Sequence, residues 1–219
     1  MCRERRNQRK VKEFVGNVLR TEFIMSIAEY DKAYRLGKKD YQSRLLQGQS
    51  PTLKVLDDIL PYNQHYAEVP LGLVQIPIER IVGTKTGGRS NAFASNFMPI
   101  LSDKTEFAFK WAHLSESHEK EGIRDPIKAY EYMNEFYVEE GNKRVSVLKY
   151  YDAVSVLGNV TRILPPKTQE KSNRIYYEFV DFYELSKVNY IWFSALGSFA
   201  KLQELIGKGP DESWSDDDR

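Results

Sequence analysis

One segment, Tyr137–Tyr151, does most to restrict the fold. Apolar Tyr137 and Val138 run into Glu139 and Glu140, Gly141 interrupts, and Val145 and Leu148 follow at helical spacing. That order calls for a strand, a sharp turn and a helix that packs back on the strand. The turn puts Lys143 and Arg144 in the first helical turn. Unpaired N–H groups already make that end of a helix partly positive, so two cations there are unfavourable unless an anion shares the site. Gly141 allows close backbone approach and Asn142 is a good N-cap. The combination suits a phosphate group. It also suits a plain strand–helix junction whose basic side chains point into water.

Whether such a unit has a core to pack against is a matter of composition. Of 219 residues, 41% are apolar and 13% aromatic, enough for a packed domain. A net charge of +1 argues against a binder that holds nucleic acid by charge alone, but it hides asymmetry. Arg3, Arg5, Arg6, Arg9, Lys10 and Lys12 crowd the start, and Asp211, Glu212, Asp216, Asp217 and Asp218 crowd the end. Such terminal blocks read as solvated tails. The single cysteine, Cys2, permits no intrachain disulfide and fits a reducing, cytoplasmic location. No apolar run is long enough for a bilayer, and no secretory signal follows the basic start. His65, His113 and His118 have no Cys-x-x-Cys partner, so no metal site is expected and they read as surface or boundary residues.

Along the chain, residues 11–36 carry an amphipathic helical pattern that extends toward Leu46. Ser50 and Pro51 suit the start of a second helix, through Leu60, which Pro61 ends. From Ala67 the character changes. Val69–Ile78 is extended and apolar. A glycine-rich loop follows over residues 83–91, with Lys85, Gly87, Gly88 and Arg89. Residues 103–120 read as a helix capped by Gly122. Ile127–Tyr132 and Glu135–Glu139 read as strands joined by a turn at Met133–Asn134. The helix opened by Gly141 runs to about Ala153, and Val160–Leu164 is a last strand. Residues 174–186 read as helical, with Ser198 capping a final helix through Ile206. The aromatics Tyr176, Tyr177, Phe179, Phe182, Tyr183, Trp192 and Phe193 read as core, although such rings can stack bases.

This order of elements resembles the ParB/sulfiredoxin superfamily domain. The residues that carry the likeness are Ile76–Ile81, Gly122–Ile123, Asp125–Ile127, Glu140–Arg144 and Val160–Ile163. It covers about residues 67–166. It implies an α+β fold, a small mixed sheet with packed helices, flanked by a helical extension (1–66) and a helical, aromatic-rich segment with an acidic tail (167–219). In ParB proteins the matching turn is Gly-Glu-Arg-Arg and cradles nucleotide phosphates. In sulfiredoxins it is Gly-Cys-His-Arg, and related free-serine kinases carry Asp-Gly-His-His-Arg with an acidic base in the first loop. Gly141 and Arg144 match all three. Asn142 replaces the sulfiredoxin cysteine, and Cys2 lies far away in sequence, so sulfiredoxin activity is not expected. Residues 83–96 hold no carboxylate for the kinase base. Glu79 and Glu140 are the candidates for a catalytic carboxylate.

The expectation is a regulatory domain that binds a nucleotide or phosphate, ATP or CTP with a divalent cation. One wall is Lys85, Gly87, Gly88 and Arg89, and the other is Gly141, Asn142, Lys143 and Arg144. Any turnover would be slow nucleotide hydrolysis or phosphotransfer. The alternatives are a DNA-binding ParB-like regulator, although no helix-turn-helix pattern follows Pro166, and an interaction module with a degenerate pocket that dimerises through its helical extensions.

Overall fold

The computed structural model describes residues 27–60 and 65–219. The basic block at Arg3–Lys12, the amphipathic pattern over residues 11–26 and Pro61 lie outside the described residues. Six helices and a six-stranded mixed sheet make an α+β fold among them. Helix α1 occupies residues 27–46. The rest follow as β1 (Lys54–Val55), α2 (Leu56–Ile59), β2 (Ala67–Pro77), β3 (Ile81–Thr84), α3 (Glu106–Glu121), β4 (Ile127–Tyr132), β5 (Glu135–Glu140), α4 (Asn142–Tyr150), β6 (Ser155–Leu164), α5 (Lys171–Ser186) and α6 (Ser198–Leu205).

The strand order is β1-β3-β5-β4-β6-β2. Strands β1, β3 and β5 run parallel, β5 and β4 are antiparallel, β4 and β6 are parallel, and β6 pairs antiparallel with β2. Alternation sorts the sheet faces. Phe136 and Val138 of β5 join Ile76, Ile81, Ile127, Val145 and Leu148 in the main core, whereas Tyr137 packs with Leu56 and Ile163. Outside α3 and α4 lies α1, whose Tyr30 and Ala33 bury against Ala108, Trp111 and Val147. Trp111 anchors this layer, and its indole N–H donates to Ser146 Oγ at 2.8 Å.

Local chemistry explains several elements. Thr105 caps α3 by accepting from the Ala108 amide (3.2 Å), and Gly122 ends that helix at φ 76°. Met133 and Asn134, at φ 53° and 62°, form the tight β4–β5 turn.

Other expectations need correction. No helix starts at Pro51: Thr52 bridges to Ala94, β1 pairs with β3, and α2 begins only at Leu56. The sheet therefore takes a strand from ahead of residue 67. Gly83 is not in a loop but in β3, where an added Cβ would lie 2.3 Å from the Lys54 carbonyl oxygen. Strand β6 begins at Ser155, earlier than Val160. Helix α6 is capped by Gly197, whose amide donates to Glu178 Oε2 (2.8 Å), and Ser198 is its first residue.

The aromatics after residue 174 form a core cluster with Val188, Phe199 and Trp214. The acidic end is not a loose tail: Trp214 is 6% exposed, and its indole N–H donates to Gln203 Oε1 at 2.7 Å. No helix among the described residues is long and apolar enough to cross a membrane.

Candidate functional site

Strands β3 and β5 are adjacent and parallel, so the chain leaves both at the same end of the sheet. Open sheets with parallel strands commonly bind ligands at that end. After β3 the chain makes a 3-10 turn, Gly87–Ala92; after β5 it turns at Gly141 into α4. The two turns meet in a cleft of about 760 Å³. Gly88, Ala92 and Phe93 line it from the first turn and residues 139–144 from the second. Helix α3 completes it with Glu106, Phe107, Phe109, Lys110, His113 and Leu114.

Gly141 sits at φ 107°, ψ 17°, and an added Cβ would lie 2.7 Å from Ile127 Cγ2. Glycine is thus demanded by conformation and by close packing. No side chain caps α4. Its first-turn amides thus lack a side-chain acceptor, and the residues that carry them line the cleft at the positive end of the helix.

The expected site residues separate. Gly88, Gly141, Asn142, Lys143, Arg144 and Glu140 all line the cleft. Gly87 is at the start of the 3-10 turn but outside the lining, and Arg89 lies one residue beyond Gly88. An added Cβ at Gly87 or Gly88 would meet nothing within 4 Å, so packing does not require glycine there.

Lys85 does not belong to the cleft. Thr84 reaches Asn142, so the next residue of an extended chain turns to the opposite face. There Lys85 pairs with Asp57 and lies 5.2 Å from the Tyr130 ring centroid. The alternation was the available signal. Glu79 is also away from the cleft, in a 3-10 turn, Ile78–Arg80, rather than a strand. Its neighbour Ile78 accepts from Lys149 Nζ at 2.8 Å.

Arg144 has a structural task. Its Nη1 donates to the carbonyls of Asp125 (3.1 Å) and Pro126 (2.6 Å), clamping the turn before β4 onto α4. Lys143 lies 5.0 Å from the Phe107 ring centroid and lines the cleft with it.

Three carboxylates share the lining. Glu106 pairs with Lys110 at 2.5 Å and Glu140 with Lys128 at 2.6 Å. The Lys128 ammonium holds the Glu140 carboxyl below the usual carboxylate range, which suits a fixed charge better than a general base at neutral pH. No three His, Cys, Asp or Glu among the described residues are gathered to hold a metal ion. A divalent cation in this cleft would thus depend on ligand oxygens for most of its coordination.

Sequence reasoning missed the α3 wall. Glu106, Lys110, His113 and Leu114 follow helical spacing and face one cleft, but the helix they share was legible only as a packing element. Comparisons of this chain with protein-family models, curated proteins and solved structures gave no match.

Proposed function

We propose that the cleft binds the phosphate of a small ligand, as a regulatory domain of ParB/sulfiredoxin type in the cytoplasm. One observation carries the reading: two turns that follow adjacent parallel strands converge on the uncapped N-terminus of α4. Its amides, together with Lys143, would hold phosphate oxygens. ATP or CTP with a divalent cation are the first ligands to try. Asn142 is neither a nucleophile nor a base, and Glu140 is committed to Lys128, so the site is built to hold rather than to cleave.

Calorimetry with ATP, CTP and their diphosphates tests this. Binding should weaken about tenfold in Lys143→Ala, the scale of one charge-assisted contact. Arg144→Ala is the poorer probe, because it also releases the clamp on Asp125 and Pro126. No heat at millimolar ligand, with the variant indistinguishable from wild type, would remove the proposal.

A second reading, an interaction module that dimerises through a helix, is favoured by α1. Its Leu36, Leu45 and Leu46 are exposed, Leu46 to 90%. Mass in solution distinguishes the two, a monomer counting against the module.

A further inference from the structure

The acidic part of this chain frames a second groove, separate from the cleft. Helices α5 and α6 and the segment that follows them enclose about 510 Å³. The floor is apolar: Leu185, Ala200 and Pro210 line it over the buried rings of Phe182 and Phe199. Ala200 and Pro210 are exposed, so this apolar surface is open. The rim is acidic, with Glu178 and Asp181 from α5 and Glu204 from α6. Glu178 accepts from the Gly197 amide at 2.8 Å. Asp181 and Glu204 are exposed and form no ion pair among the described residues. Lys208 also lines the groove, but Glu212 and Asp218 answer its charge at 3.2 and 2.9 Å. The groove is therefore negative, and a cleft lined by one sign of charge concentrates the opposite sign.

An apolar floor inside an acidic rim fits a segment that is apolar on one side and basic beside it. The start of this chain carries such a pattern. Val11, Phe14, Val15 and Val18 recur at i, i+3, i+4 and i+7, the spacing of anchors that enter a groove together. Arg9, Lys10 and Lys12 flank them, against the one acid Glu13. Arg3, Arg5 and Arg6 extend the positive charge.

We propose that the α5–α6 groove is a docking site for the N-terminal segment of this chain, residues 9–18. Phe14 and its apolar neighbours meet Leu185, Ala200 and Pro210, and the basic residues meet Asp181 and Glu204. Docking withdraws those cations from other anions, so the groove sets what the basic start of the chain can reach. The assignment is independent of the phosphate reading, which concerns the other cleft.

Cys2 is the chain's single cysteine, so a nitroxide attached to it reports where the basic start lies. The experiment records amide resonances of the isotope-labelled full chain with the nitroxide oxidised and then reduced. Amides of Asp181, Leu185, Ala200 and Glu204 should be broadened by the oxidised label and recover on reduction. Two variants separate the contributions, and circular dichroism verifies their folding. Asp181→Asn with Glu204→Gln should weaken docking about fivefold, the scale of two exposed ion pairs. Phe14→Ala, which leaves the groove itself untouched, should weaken it about tenfold, the scale of one buried apolar side chain. Each loss is read as reduced broadening at the groove. No broadening there, or broadening that neither variant reduces, would overturn the proposal. So would broadening confined to the exposed apolar surface of Leu73, Val154 and Tyr190, where a second groove wall lies beside β2.

Discussion

Gly141 is the residue on which the cleft turns. Its left-handed backbone costs a residue with a Cβ about 1 kcal/mol or more, and the contact with Ile127 Cγ2 adds to that. Gly141→Ala should therefore destabilise the chain by about 2–3 kcal/mol in urea unfolding. Gly88→Ala should change stability by less than about 0.5 kcal/mol, since its Cβ enters open space at ordinary φ. The contrast separates a glycine kept for folding from one whose smallness could serve only a ligand. If both variants lose stability alike, the 3-10 turn is held more tightly than its geometry indicates. If Gly88→Ala keeps stability yet weakens nucleotide binding, backbone approach to the ligand is its role.

Among the elements, the C-terminal strap, residues 209–219, is where sequence was least informative. A run of acids reads as solvated, yet here it is folded around distant partners. The Trp214 amide donates to the Leu185 carbonyl (3.0 Å), and Arg219 Nε donates to the Ser186 carbonyl (2.8 Å). Asp218 accepts from the Ser215 amide (2.6 Å), its hydroxyl (2.7 Å) and Lys208 (2.9 Å). The Ser215 hydroxyl, Lys208 and the Ser215 amide together lower the Asp218 carboxyl from 3.8 to about 2. A depressed carboxylate contributes stability that is complete above its ordinary value and lost as pH falls through the folded one. The strap should therefore loosen between pH 4 and 2. Urea unfolding followed by tryptophan emission should show a steeper loss of stability in wild type than in Asp218→Asn across that window. Identical pH dependence in both would show that the strap does not rely on this carboxylate. Elements fixed by nearby residues were legible in the sequence: the Met133–Asn134 turn needs a residue tolerant of positive φ, and Gly122 marks the end of α3, although its start falls at Glu106, after the Thr105 cap, and not at 103. Strand β1 was not. Two residues make a strand only because Gly83 lets the Lys54 carbonyl approach, a fact held by the partner. The two cleft turns were legible for a related reason: both are glycine-bearing and local. The α3 wall and the departure of Lys85 depend on which face each residue takes once the sheet exists.

Across the whole molecule, the question is whether the sheet with its cleft can stand without the segment after Pro166. Glu131 and Arg162 are neighbours on β4 and β6, both essentially buried, and they form an ion pair. Burial pushes the Glu131 carboxyl up, against the Arg162 guanidinium, the Asn134 amide (2.6 Å) and the Tyr176 hydroxyl (3.0 Å), which donate to it. Tyr176 comes from α5, and the Arg162 guanidinium lies 5.5 Å from the Phe179 ring and 4.6 Å from Tyr183 on the same helix. Leu71, Met133 and Leu164 of the sheet region also pack into the α5–α6 cluster. Removing α5 and α6 would thus strip a charge pair of its lid and bare an apolar surface together. A chain ending at Pro166 should lose near-ultraviolet dichroism, bind the dye ANS and unfold without a sharp transition, as expected of a compact state without fixed packing. The full chain should show one cooperative calorimetric transition, because the buried pair couples both parts. Two resolved transitions, or a sharp one in the shortened chain, would mean that the sheet folds alone and that α5 and α6 are an addition to it. The distinction bears on the cleft. Strand β4 carries Glu131, and its Ile127 closes on Gly141, so a sheet that needs α5 ties the geometry of the Gly141 turn to a helix outside the cleft lining.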